Sequence, residues 1–526
     1  MFSLFSKLEF AMHLTIISIL QIYIYLHGNS FSRQAQQKLP LPWVQPGLLS
    51  MPIDLSDDQW RSFRSALLPL SVAMTGYVTL SQLIQSFRDL KAWRPTYCTL
   101  FSLLFLSVLH GWYIFHVLTL AALHYYLIRF FAGKKNGLLI IWAVACALFI
   151  AVRKTEGLPF VRILPLLGQL KLSGGLLRWH IHYNLVLLRI LSFASDWHWA
   201  CLKVPNKGSL GHSKRYDENK ARISRHLPPD AYNFLAYITY ILYPPLYIAG
   251  PIITFNSYVS QTSGGGLVQL KQVLMYGLRW CIAWMALELL THSLYFNSIA
   301  KYRVWEHLVH VGVSVTPLHY VEGSFWVLMF MWLKFTVIWR FFRLAALADG
   351  VDPPENMTRC LTNNYDIEGF WRNWHASYNQ WLVRYMYIPL GGSQWRLLNV
   401  WIIFTFVALW HDLEFKLLGW AWIMALGMAP EMMIKSIRSA SAFKGVKHSW
   451  IWRQLCAIFA SLNIVVLMTG NMIGFVVGVD GVMPLLKKLI ENPLFLSQVL
   501  GTLFSAVQVM FFIRDLEEHG RNNLYQ

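Results

Sequence analysis

Charge is scarce in this 526-residue sequence: 13% of its residues are Asp, Glu, Lys or Arg. Soluble domains carry roughly 25%, so there is too little charge here to clothe a water-facing surface of this size. Acids are scarcer than bases, 26 against 45, leaving a formal charge of +19. The bases lie in short loops between apolar blocks. Topology signals and anionic head groups produce that pattern, so no nucleic-acid partner is expected. Cysteines number six, at 98, 146, 201, 281, 360 and 456, and none form a CxxC pair. A disulfide framework or a structural zinc site is therefore not expected. The chain lacks HExxH, a GxSxG in suitable context and a GxGxxG at a strand–helix junction. The run Ser263-Gly264-Gly265-Gly266 is no phosphate cradle, because no Lys-Ser/Thr pair follows it. No internal repeat is visible, which disfavours a transporter built from paired halves.

What the sequence does have is apolar residues, 56% of the total, gathered in blocks. About 20 apolar residues span about 30 Å of hydrocarbon. Blocks near that length fall at roughly 9–27, 66–87, 96–131 (broken at Gly111), 137–152, 177–195, 232–252, 273–295, 325–347, 398–411, 416–434, 452–477 and 496–513. The reading is an all-α polytopic membrane protein with about 11 transmembrane helices, give or take one. The short segments 96–110, 137–152 and 398–411 are tilted or re-entrant in this reading. The 24 Trp and 24 Tyr suit two interfacial aromatic belts.

Residues 1–65 read as an uncleaved signal-anchor helix and a polar non-cytoplasmic loop, in which Asp54 or Ser56 caps the next helix. Residues 66–514 form the membrane domain, and 515–526 a short polar tail. The basic loops 203–226 and 435–453 are expected on the cytoplasmic side. The stretch 240–258 holds Pro244, Pro245, Gly250 and Pro251. A helix broken at membrane depth must satisfy its freed carbonyls, and a cavity wall is one way to do so.

The chemistry gathers between 339 and 415. Trp339-Arg340-Phe341-Phe342-Arg343 ends a span with two cations. After a polar loop, Trp371, Trp374, Tyr378 and Trp381 repeat at helical spacing, which predicts one amphipathic helix over 370–381 with His375 beside its aromatic face. His411 ends the short apolar segment 398–411. Ionisable groups at membrane depth are rare and usually functional, and histidine exchanges protons near neutral pH. An interfacial histidine at 375 and a helix-capping one at 411 are the structural alternatives. His292 follows Glu288 by four residues as an internal pair. His110, His116 and His124 have no acidic neighbour.

Phe370-Trp371-x-x-Trp374-His375, Arg384-Tyr385-x-Tyr387-Ile388-Pro389-Leu390-Gly391-Gly392 and Trp410-His411 together resemble the signature of the membrane-bound O-acyltransferase (MBOAT) family. The stretches Tyr243–Ile252 and Pro354–Cys360, with Trp410-His411-Asp412-Leu413-Glu414, resemble its glycerol-uptake-protein (Gup) and hedgehog-acyltransferase-like branch, nearer to Gup. The likeness covers roughly 55–480. It implies a fold with a central tunnel and an active-site pair at His375 and His411. It also implies transfer of a long-chain acyl group from acyl-CoA to a hydroxyl of a membrane-lipid acceptor at the endoplasmic reticulum. The Gup likeness points to a lyso-phosphatidylinositol moiety in GPI-anchor remodelling. The rivals are glycerol–proton symport, a silent scaffold of the same fold, and protein acylation of the hedgehog-acyltransferase kind. Those last relatives generally have an acid where this chain has His375. On this reading His411 is the base and His375 orients a substrate. Asn373 or Asn379 assists, and Arg340, Arg343, Arg372 and Arg384 meet phosphates. No metal is required. Cys360 matches a haem-ligating cysteine of a relative, although a lone cysteine is more often structural.

Overall fold

A computed structural model describes residues 4–47, 50–157, 174–203, 222–223, 225–264, 268–439 and 449–524. Most of the basic loop 203–226, half of the loop 435–453 and part of the 263–266 run lie outside them. Ten helices among the described residues are long and apolar enough to cross a membrane, from Lys7–Lys38 to Pro493–Gly520. One small antiparallel hairpin, Val44–Pro46 with Pro52–Asp54, sits in the loop after the first span, with Val44 opposite Asp54.

The span Leu270–Ser293 shows how the pattern is used. Leu274, Leu278, Ile282, Met285 and Leu289 recur every three or four residues and are exposed. Tyr276, Ala283, Leu287 and Leu290 are buried on the other side. The exposed stripe faces lipid and the buried one faces the bundle.

The two longest described helices outside the ten are Trp179–Cys201 and Arg396–His411. Trp179–Cys201 is buried continuously from Val186 to Asp196, which marks a helix surrounded by protein rather than lipid. It carries Arg189 and Asp196, and protein partners there satisfy both charges. Arg396–His411 has 16 residues, about 24 Å at 1.5 Å per residue, which is short of a perpendicular crossing.

Breaks fall where turn formers stand. Gly111 at φ 57° separates Arg94–His110 from Ile114–Phe131. Phe234–Ile241 stops before Pro244 and Pro245, and Pro244–Tyr247 follows as a single turn. The 240–258 stretch does not line the cavity described below, contrary to the sequence expectation. The guanidinium of Arg189 instead donates to the freed carbonyls of Ile241, at 2.9 Å, and Leu246. A charged donor inside the bundle meets the backbone requirement that a water-lined cavity would otherwise meet.

The cap of Asp58–Ser86 is neither Asp54 nor Ser56 but Asp57, which accepts from Trp60 N at 2.7 Å. Its other oxygen holds the buried ammonium of Lys334 at 2.7 Å. Asp54 is engaged elsewhere, with Ser56 and with the backbone N–H of Ser298.

Candidate active site

The aromatic stretch 370–381 is two helices rather than one. Ile367–Asn373 ends, Trp374 is extended, His375 takes the left-handed conformation at φ 46°, and Ala376–Leu382 begins. Asn356 pins the break. Its backbone carbonyl accepts from Ala376 N at 3.0 Å, and its side-chain oxygen accepts from the N–H and hydroxyl of Ser377. Ser377 Oγ accepts in turn from Ile252 N at 2.8 Å. A left-handed histidine is strained, and strain of this kind persists only where surrounding structure imposes it.

The break lays the His375 ring flat on Trp339, centroids 4.5 Å apart and planes 18° apart. Tyr378 lies 5.2 Å from His375 and 4.5 Å from Trp410, the residue before His411. His411 is walled by Trp410, Phe475 and Trp420 at 4.9, 5.5 and 6.1 Å. It ends its helix under tight control. Arg153 donates to its carbonyl at 2.8 Å and pairs with Asp412 at 3.0 Å. Asn184 and Trp410 exchange two hydrogen bonds, at 2.7 and 3.0 Å. The described residues offer neither imidazole a hydrogen bond. Both rings line one cavity of about 410 Å³.

Two helical faces wall this cavity. Arg396–His411 contributes Arg396, Val400, Ile403, Phe404, Val407 and His411, a spacing that keeps to one side of a helix. The facing run contributes Tyr378, Asn379, Leu382, Val383 and Tyr387. A charged cluster closes one end. Glu368 accepts from Arg372 at 2.7 Å, Lys435 at 2.8 Å and Arg396 at 3.0 Å. Burial opposes ionisation of Glu368, but the bond from Lys435 and the charges of Lys435, Arg372 and Arg396 hold its carboxyl below the usual glutamate range.

The residues picked out in the sequence divide on this geometry. His375, His411, Arg372 and Asn379 line the cavity. Arg340, Arg343, Arg384 and Asn373 lie off it with partners of their own. Arg343 pairs with Asp352 at 2.7 Å, and Arg340 lies 3.7 Å from Glu355. Arg384 pairs with the buried Asp196 at 2.8 Å. Asn373 donates to Gly369 O at 2.7 Å and accepts from Thr358. Arg396 and Glu368 escaped the sequence reading, and Lys435 entered it only as part of the basic loop 435–453. Arg396 had a signal, since it stands in helical phase with Val400, Val407 and His411.

Cys360 lies in the polar loop that precedes Ile367–Asn373. Its thiol sits 3.4 Å from the Thr362 hydroxyl at the start of the turn Leu361–Asn363. Its neighbour Arg359 is paired with Glu517 at 3.0 Å. Among the described residues no group of three His, Cys, Asp or Glu is placed to hold a metal.

Residues 168–473 match the sequence profile described as MBOAT, membrane-bound O-acyltransferase family. The chain is similar to the membrane-bound O-acyltransferase gup1 of Schizosaccharomyces pombe, 33% identical over 540 residues that cover 99% of this chain and 91% of that protein. It is also similar to the membrane-bound O-acyltransferase GUP1 of Saccharomyces cerevisiae, 34% identical over 526 residues that cover 97% and 90%. A shorter likeness joins it to the mouse protein-cysteine N-palmitoyltransferase HHAT, 30% identical over 218 residues, 38% of this chain and 40% of that one.

Proposed function

Because the chain belongs to the membrane-bound O-acyltransferase family, we propose that it carries a long-chain fatty acyl group from acyl-CoA to a hydroxyl of a membrane lipid, a lyso-phosphatidylinositol moiety of a GPI anchor at the endoplasmic reticulum. The observation that carries this reading is the cavity itself, with cations at one end, apolar walls between, and two unpartnered imidazoles at the other. Arg396 and His411 stand fifteen residues apart on one helix, about 22 Å at 1.5 Å per residue. From the thioester sulfur to the first phosphorus of coenzyme A there are roughly thirteen bonds, about 15 Å at some 3.5 Å per three-bond repeat. The side chains of Arg396 and His411 reach across the difference. A thioester beside the histidines therefore brings its phosphates to Arg372 and Arg396.

The chemistry follows from the groups present. His411, as a neutral imidazole, takes the acceptor's hydroxyl proton while the oxygen attacks the thioester carbonyl. The C–O bond forms, the C–S bond breaks, and the proton passes to the departing sulfur. His375, fixed on Trp339, orients the acceptor or the carbonyl by hydrogen bonding. The aromatic walls exclude water, which limits thioester hydrolysis. Asp196 and the Trp199 ring tie the Cys201 end of its helix to Arg384 and Tyr385, and Lys435, four residues before the end of the helix Phe415–Ser439, meets Glu368. The described C-terminal ends of both helices thus lie toward the charged mouth. By the positive-inside rule that side is cytosolic, where acyl-CoA is made available.

The test is acyl transfer by the purified protein from acyl-CoA to lyso-phosphatidylinositol, together with the lipid profile of cells lacking the protein. Accumulated lyso-GPI is expected. A defect confined to glycerol uptake would sink the acylation reading. Arg396→Ala is expected to raise the KM for acyl-CoA about tenfold and leave acyl-pantetheine, which lacks the phosphates, unaffected. An equal effect on both donors would remove Arg396 from the phosphate site.

A further inference from the structure

Between the charged mouth and the histidines the cavity presents mostly carbon. Val400, Ile403 and Val407 stand on one wall, Leu382 and Val383 on the other. Asn379 interrupts this barrel. Its backbone N–H bonds to the carbonyl of His375 at 3.1 Å, so it lies one helical turn, about 6 Å, along from that residue. The helix then runs on toward Tyr387 and the mouth. Its side chain is half-buried, lines the cavity and forms no hydrogen bond among the described residues. Two other amides of this region behave differently. Asn373 bonds to Gly369 and Thr358, and Asn356 to Ser377. A half-buried amide in an apolar channel is costly unless something pairs with it.

We propose that Asn379 reads the first amide of the pantetheine arm, making it a specificity residue for amide-bearing thioesters; this rests on the acyl-CoA reading above. The spacing supports it. That amide nitrogen is about three bonds from the thioester sulfur, some 3.5 Å when extended, and its carbonyl lies one bond further. With the thioester held beside His375, the secondary amide falls at the level of Asn379. A primary carboxamide offers one acceptor and a two-proton donor, which complements a secondary amide's N–H and C=O. Tyr378, the residue before it, also lines the cavity, but a hydroxyl cannot pair with both the N–H and the C=O of one amide in the way a carboxamide can.

The experiment compares three thioesters of one fatty acid: the coenzyme A ester, the N-acetylcysteamine ester, which keeps only that amide, and the 2-mercaptoethanol ester, which has none. Asn379→Leu is close in shape. It is expected to raise KM about tenfold for the first two, because a ligand amide then meets carbon in place of the carboxamide. The mercaptoethanol ester should change less than twofold. Asn379→Ala should repeat the pattern, and both variants should melt at the temperature of the unsubstituted protein, since the side chain bonds to no described residue. Equal changes for all three esters, or none, overturn the assignment. A lowered melting temperature in both variants also overturns it, by making Asn379 a packing residue. If the unsubstituted protein transfers from none of the three, the acyl-CoA reading itself fails.

Discussion

His411→Ala is expected to lower kcat for acyl transfer by about 100- to 10,000-fold, the range supplied by a positioned general base. KM for acyl-CoA should change little, because the proposed phosphate site lies at the far end of the cavity. The substitution leaves the protein folded. The imidazole bonds to no described residue, whereas the backbone at this point is held independently by Arg153 and by the Asn184–Trp410 pair. Purified protein, single-turnover and steady-state rates, and a melting curve make the check. Full activity would end the assignment of His411 as the base. His375→Ala should cost less in kcat, because a neighbour that orients a substrate is easier to replace than the group that accepts its proton.

Asp349→Ala is expected to destabilise the protein by about 3–5 kcal/mol, as when one partner of a buried ion pair is removed. Asp349 is fully buried and its partner Arg94 nearly so. One carboxylate oxygen accepts from Arg94 at 3.1 Å, from Tyr243 at 2.6 Å and from Tyr77 at 3.4 Å. Alanine strands the Tyr243 hydroxyl, and Arg94, although it keeps bonds to the Asp349 carbonyl and to Ser81, is left with a charge and no counter-ion. Asp349→Asn retains an oxygen acceptor and should lose less. Chemical unfolding in detergent micelles measures both. A loss under 1 kcal/mol for the alanine variant would show that the cluster adds little. Tyr243 stands at the break before Pro244, so the same variant should also loosen the broken helix packed on Arg189.

Much of the architecture was legible because it is set locally. Spans follow from runs of apolar residues, and the hairpin at Gly111 and the stop before Pro244 follow from single residues whose backbone chemistry forbids continuation. His375 and His411 were visible as polar groups in apolar surroundings, and their flanking motifs carried the family resemblance. The same local logic misread 370–381 as one helix. Nothing in that stretch forbids helix at His375; the break is imposed by Asn356 and Ile252, which lie outside the stretch and reach it only in the folded bundle.

Arginines show the remaining boundary. From sequence, Arg340, Arg343, Arg372 and Arg384 are equivalent cations near the histidines. Folding gives Asp352, Glu355 and Asp196 to three of them, the last from 188 residues away. It pairs Arg372 with Glu368 at the cavity itself, beside Arg396, which carried no motif. The sequence by itself determined an all-helical membrane bundle and the two histidines, since burial in lipid and helix breaking act within a few residues. Which cations line the cavity, which cavity amide lacks a hydrogen bond among the described residues, and why the helix breaks at His375 were decided by tertiary contacts. Charge pairing and hydrogen bonding depend on distance in space, and distant segments meet only when the bundle closes.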